Sequence, residues 1–134
     1  MQLISVVDDD ESLRSATIDL LNSVGFDCEA FESAEAYLLS DRIDQTSCLI
    51  LDINMPGLNG LELQLRLAES GYSIPIIFIT AFPERRTRVQ AMKAGATCYL
   101  PKPYNDESLI DCVRLALQGR TWGSESGADG SASN

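Results

Sequence analysis

Short apolar runs recur along the chain at a steady interval: LISVV at 3–7, CEAF at 28–31, CLIL at 48–51, IPIIFI at 74–79 and CYL at 98–100. Each has the length of a buried strand, and the segments between them have helical character. In 11–24, Leu13, Ala16, Thr17, Leu20, Leu21 and Val24 follow the i, i+3, i+4, i+7 spacing of one helix face. Asp10 is placed to cap that helix and Gly25 to end it. A second helix spans 84–94, opening at Glu84 after Pro83 and stopping at Gly95. The last begins at Asn105, carries Asp106 and Glu107 in its first turn, and turns Leu109, Cys112, Val113 and Ala116 inward before Gly119. LELQLRL after Asn59-Gly60 alternates like a strand, yet Leu and Glu favour helix and no β-branched residue is present. A helix is expected there, with Leu58, Leu61, Leu65 and Ala68 on its inner face.

Strands alternating with helices imply an α/β fold: a doubly wound parallel sheet with helices on both faces. The flavodoxin-like (βα)5 arrangement, strand order 2-1-3-4-5, places strands 1 and 3 side by side. Polar residues stand where the apolar runs stop. Asp8 and Asp9 follow LISVV, Asp52 follows CLIL, Thr80 follows IPIIFI, and Lys102 follows CYLP. In a parallel sheet these ends share one edge, the edge at which open α/β sheets bind ligands.

Composition narrows the chemistry available there. The 134 residues, 45% hydrophobic and 22% charged, suit one soluble domain. No apolar stretch approaches a membrane span and the N-terminus lacks a secretory pattern, so a cytoplasmic location is expected. Cys28, Cys48, Cys98 and Cys112 show no metal-binding spacing and read as reduced, buried thiols. A net charge of −10 argues against direct nucleic-acid binding. Histidine is absent, which removes imidazole bases, Ser-His triads and the commonest nitrogen ligand for zinc. Residues 119–134, rich in Gly, Ser and Ala, read as a flexible tail or linker after a domain at 1–118. Trp122 is expected to pack on the end of the last helix or to lie exposed.

Carboxylates, a hydroxyl and a lysine are left. Two charges about 4 Å apart repel by about 4 kcal/mol at an effective dielectric near 20, so converging aspartates must share protons or hold a cation. Oxygen ligands of this kind suit Mg²⁺. Asp10 reads better as a helix cap than as a ligand. Asp52 can either turn the chain or act as a nucleophile toward phosphorus, as carboxylates do in aspartyl-phosphate chemistry. Asn54 can offer its backbone carbonyl to a metal. Lys102, between Pro101 and Pro103, is held extended, and a cis bond is open to it. Its ammonium and the Thr80 hydroxyl can both bind a phosphoryl oxygen.

VVDDDES, LILDINMPGLNGLEL, IPIIFITAF and KAGATCYLPKPY, in that order, resemble the receiver domain of bacterial response regulators over about 1–118. The wording VVDDDE and ITAFPERR is similar to the nitrogen-fixation type of regulator. The resemblance implies that Asp52 is the phosphoacceptor, fed by a phosphohistidine on a sensor histidine kinase. It implies that Asp8, Asp9, Asp52 and the Asn54 carbonyl hold Mg²⁺, that Thr80 and Lys102 bind phosphoryl oxygens, and that Tyr99 turns inward as a switch when Thr80 moves. Phe82 falls at a position that tunes dephosphorylation in the family. The output expected is transcriptional control by a longer protein, or protein contact and phosphate storage by a stand-alone receiver. Self-catalysed phosphorylation and dephosphorylation are the only reactions implied, so the domain is regulatory and not an enzyme.

Other classes fit less well. A flavodoxin-like cofactor binder needs a phosphate cradle after strand 1, where this chain has Asp-Asp-Asp-Glu. An aspartyl phosphatase of the haloacid-dehalogenase type needs an acid two residues past its nucleophile, where Asn54 stands. Arg85, Arg86 and Arg88, with Lys93, put four of the ten basic residues on one helix. They are either a solvated face or a partner surface, for example a homodimer across helix 4 and strand 5 formed on phosphorylation.

Overall fold

The computed structural model describes residues 2–119. Trp122 and the rest of the expected tail, 120–134, lie outside the described residues. In chain order the elements are β1 (Leu3–Val7), α1 (Glu11–Ser23), β2 (Asp27–Phe31), α2 (Ala34–Leu39), β3 (Thr46–Asp52), α3 (Gly60–Glu69), β4 (Ile76–Thr80), α4 (Arg85–Lys93), β5 (Cys98–Pro101) and α5 (Asp106–Leu117). A 3-10 turn at Ile43–Gln45, which the apolar pattern does not announce, leads into β3. All strand pairs are parallel and their order is β2-β1-β3-β4-β5, as expected.

Alternate residues of the central strands feed two cores. Ile4 and Val6 of β1, Cys48 and Ile50 of β3 and Ile77 and Ile79 of β4 pack with Leu21 of α1 and Leu109, Cys112 and Val113 of α5. Val7, Leu49, Leu51 and Phe78 pack with Ala34 and Tyr37 of α2, Leu63 and Leu67 of α3, and Ala91 of α4. Two helices therefore cover one face and three the other. Burying each such side chain contributes about 1.5–3 kcal/mol. All four cysteines are free thiols; three are buried and Cys28 is partly so. Burial, reinforced by Asp27, pushes the Cys28 thiol up to about 11, which suits packing better than reactivity.

Side-chain oxygens mark most helix starts. The side chains of Asp10, Ser33 and Asn105 accept from the amides of Leu13, Ala36 and Ser108. Asn59 and Glu62 close a reciprocal capping box at α3. Helix α4 differs. Glu84 makes no side-chain cap bond, no acid lies in the first turn, and only Ala91 is buried. Arg85 and Arg86 stand where the helix dipole disfavours cations.

The inner face of α3 is not the one expected. Gly60, Leu63, Gln64 and Leu67 are buried, whereas Leu65 is 58% exposed, Ala68 is exposed and Leu58 and Leu61 are half-buried. The alternating leucines supply two stripes, and Gly60 chooses between them. A Cβ on Gly60 would stand 2.5 Å from the Asp52 carbonyl oxygen and 2.9 Å from Ile53 Cα. Only glycine lets α3 approach so closely, and i+3, i+4 and i+7 from that contact are Leu63, Gln64 and Leu67. In α1, Thr17 and Leu21 are buried as expected, but Ala16 and Val24 are exposed. Gly60→Ala should lower the unfolding free energy by about 1–3 kcal/mol, despite the better helix propensity of alanine. An unchanged urea midpoint would show that β3 and α3 can separate freely.

Candidate functional site

Four adjacent strands deliver the site. Asp8 follows β1 and is 0% exposed, Asp52 ends β3 at 2% and Thr80 ends β4 at 0%. Lys102 follows β5, its amide donating to the Thr80 carbonyl at 2.7 Å. Its Nζ lies 3.3 Å from Asp8 Oδ2 and 3.4 Å from Asp52 Oδ2. The Lys102–Pro103 bond is cis. Asp9 is exposed beside them, and Asp8, Asp9 and Asp52 each offer an oxygen within 4.8 Å of the others.

Burial, and then the charge of Asp8, raise the Asp52 pKa to about 7, against the opposing pull of Lys102. One lysine thus serves two buried carboxylates, leaving an excess of negative charge. Asp8 Oδ1 accepts from the Asp10 amide at 3.0 Å, while buried Asp8 Oδ2 faces the Lys102 ammonium at 3.3 Å but accepts no hydrogen bond among the described residues. A buried carboxylate oxygen that accepts no hydrogen bond, beside two further acids within 4.8 Å, fits a hard divalent cation. This acidic cluster can bind a metal.

The structure brings Asp8, Asp9, Asp52 and Lys102 together, and Asp10 caps α1 as expected. Thr80 is engaged elsewhere: its Oγ1 donates to Asn54 Oδ1 at 2.8 Å and accepts from the Phe82 amide at 3.0 Å. The hydroxyl therefore bridges β4 to the loop after Asp52, whose Oδ1 in turn accepts from the Asn54 amide at 3.3 Å. Phe82 is 67% exposed. Tyr99 already lies inward, 9% exposed, in the core with Ala91 of α4, and its hydroxyl has no partner among the described residues. Burial first of all raises its pKa. Arg85, Arg86, Arg88 and Lys93 are exposed, and no ion pair among the described residues involves them.

Some contacts had no signal in the sequence. Arg14 Nη1 donates to the Asp8 carbonyl at 2.6 Å, fastening α1 to the site. Glu35 of α2 accepts from the Leu58 amide at 2.8 Å, steadying the loop after Asp52, and that bond is the main cause of its lowered pKa. Gln64 Nε2 donates to the Ala91 carbonyl at 3.2 Å across α3 and α4. The hydroxyls of Thr17 and Tyr104 bond each other.

The family model of the response regulator receiver domain matches residues 4–114. Nodulation protein W of Bradyrhizobium diazoefficiens is 45% identical over 116 residues, covering 87% of this chain and 51% of that protein. Transcriptional regulatory protein FixJ of the same organism is 36% identical over 117 residues, 86% of this chain and 56% of that one. The solved response regulator StyR superposes with a TM-score of 0.83 at 44% identity, over 89% of this chain and 60% of that one. The chain spans about half the length of the curated relatives it matches. Among the described residues no helix is long and apolar enough to cross a membrane.

Proposed function

The chain belongs to the response regulator receiver domain family, and on that footing we propose that Asp52 takes a phosphoryl group from the phosphohistidine of a sensor histidine kinase. The observation that carries this reading is the Lys102 ammonium set between two buried carboxylates at the ends of neighbouring strands. An Asp52 oxygen attacks phosphorus, the N–P bond breaks, and its electron pair returns to the donor imidazole, which takes up a proton. This chain has no histidine, so the donor imidazole lies outside these 134 residues.

Asp8, Asp9 and Asp52, with the Asn54 carbonyl, would hold Mg²⁺. When bound, the ion neutralises charge on the phosphoryl oxygens. Lys102 supplies a second positive charge at the same oxygens. Thr80 binds a phosphoryl oxygen by giving up Asn54, and Tyr99 stays packed inward as that hydroxyl moves. Phosphorylation then shifts the population between two conformations. In the cytoplasm, within a longer protein, the domain would control transcription as FixJ is named for doing.

The deciding experiment is Mg²⁺-dependent labelling by acetyl phosphate, comparing wild type with Asp52→Asn. Wild type should label at Asp52 and the variant should not. Equal labelling of the two would end the assignment.

The exposed arginines of α4 serve phosphorylation-dependent association, as a homodimer across α4 and β5. Arg85→Glu with Arg88→Glu should weaken self-association under beryllofluoride several-fold in light scattering. Unchanged association would leave these arginines as a solvated face.

A further inference from the structure

We propose that Tyr104 is a positioning residue for Lys102, acting through its hydroxyl-to-hydroxyl hydrogen bond with Thr17; the proposal rests on the phosphoacceptor reading above. Lys102 lies in the short connection between β5 and α5. Behind it, the Lys102 amide is fixed to the Thr80 carbonyl. Ahead of it, Pro103 is exposed and has no N–H, and Asn105 is already the cap of α5. Tyr104 is the half-buried residue of this connection whose side chain crosses to α1.

Its partner there is an unusual choice for that position. Thr17, a polar residue, sits with Leu21 on the buried stripe of α1 at 2% exposure. A buried hydroxyl needs a hydrogen bond, and Tyr104 supplies it. The two hydroxyls fasten residues 87 positions apart. Burial is the largest cause of a raised Tyr104 pKa, so the phenol keeps its proton.

Helix α1 is itself locked to the acidic site. Asp10 caps α1 and its amide bonds Asp8 Oδ1, and Arg14 Nη1 bonds the Asp8 carbonyl. The end of β1 and the start of α1 therefore move together. Tyr104 attaches the Lys102 connection to that body, two residues from the ammonium that must stand 3.3 Å from Asp8. A lysine stem has many rotamers, so fixing both ends of its backbone limits where the charge can go before the phosphoryl group arrives.

The test is the initial rate of Mg²⁺-dependent labelling by acetyl phosphate, run with urea midpoints as a check on folding. Tyr104→Phe keeps the ring and removes only the hydroxyl. It should slow labelling about threefold to tenfold, the range of one lost hydrogen bond. Thr17→Val should slow it equally, the two together should be no worse than either, and Thr17→Ser should restore the rate. In a Lys102→Ala background, Tyr104→Phe should change nothing further. An undiminished rate in Tyr104→Phe would overturn the proposal, and so would an equal loss in the Lys102→Ala background, which marks a purely structural role. Absence of labelling in wild type would instead bring down the phosphoacceptor reading, and this proposal with it.

Discussion

Asp52→Asn is expected to take no label and yet to resist urea better than wild type at pH 8. Burial and Asp8 raise the Asp52 pKa from 3.8 to about 7, so the folded state holds a proton that the unfolded chain releases. Stability from this group is therefore fully present below about pH 4 and is lost as pH rises toward 7. A shift of about three units corresponds to at most about 4 kcal/mol. Asparagine carries no charge to desolvate and none to repel Asp8. In metal-free buffer the variant should gain up to that amount at pH 8 and almost nothing at pH 4. Urea unfolding at the two pH values measures both, and parallel pH slopes for the two proteins would mean that Asp8 and Asp52 do not strain each other.

Lys102→Ala should move stability the other way. Its ammonium is the group that lies between Asp8 and Asp52, whose side chains are 1% and 3% exposed. Removing one partner of a buried pair leaves charge without compensation. We expect a loss of about 3 kcal/mol, at the low end of such cases because Lys102 keeps some contact with solvent. Labelling by acetyl phosphate should fall by about a hundredfold, the effect of losing one preorganised donor to developing negative charge. Adding Asp52→Asn should recover part of the stability and none of the labelling. A Lys102→Ala protein as stable as wild type would show that the carboxylates are held apart by something other than this ammonium.

The strand ends were legible in the sequence because apolar runs stop sharply and the parallel topology forces their ends together. Asp8, Asp52, Thr80 and Lys102 needed only the strand order to become neighbours. The inner face of α3 was not legible, because LELQLRL satisfies two helical stripes equally and Gly60 against the Asp52 carbonyl decides between them. That contact is a matter of distance, which spacing does not carry. The bonds from Thr80 to Asn54, Arg14 to the Asp8 carbonyl and Tyr104 to Thr17 escaped for the same reason. Each residue had an adequate local role, as strand end, helix position or loop, and nothing nearby in sequence named its partner.

The close contact at Gly60 also divides the molecule mechanically. Asp52 sits on a central strand, with α3 pressed against its carbonyl and a capping box holding the start of that helix. The Asp52 backbone thus has little room to move toward α3. Helix α4 has no side-chain cap at its start and is held by buried Ala91, half-buried Met92 and the Gln64 bond, a sparser anchorage than that of α3. On the proposed reading, a phosphoryl group on Asp52 would draw Thr80 off Asn54, and the displacement would pass to the β4–α4 side rather than into the tight β3–α3 contact.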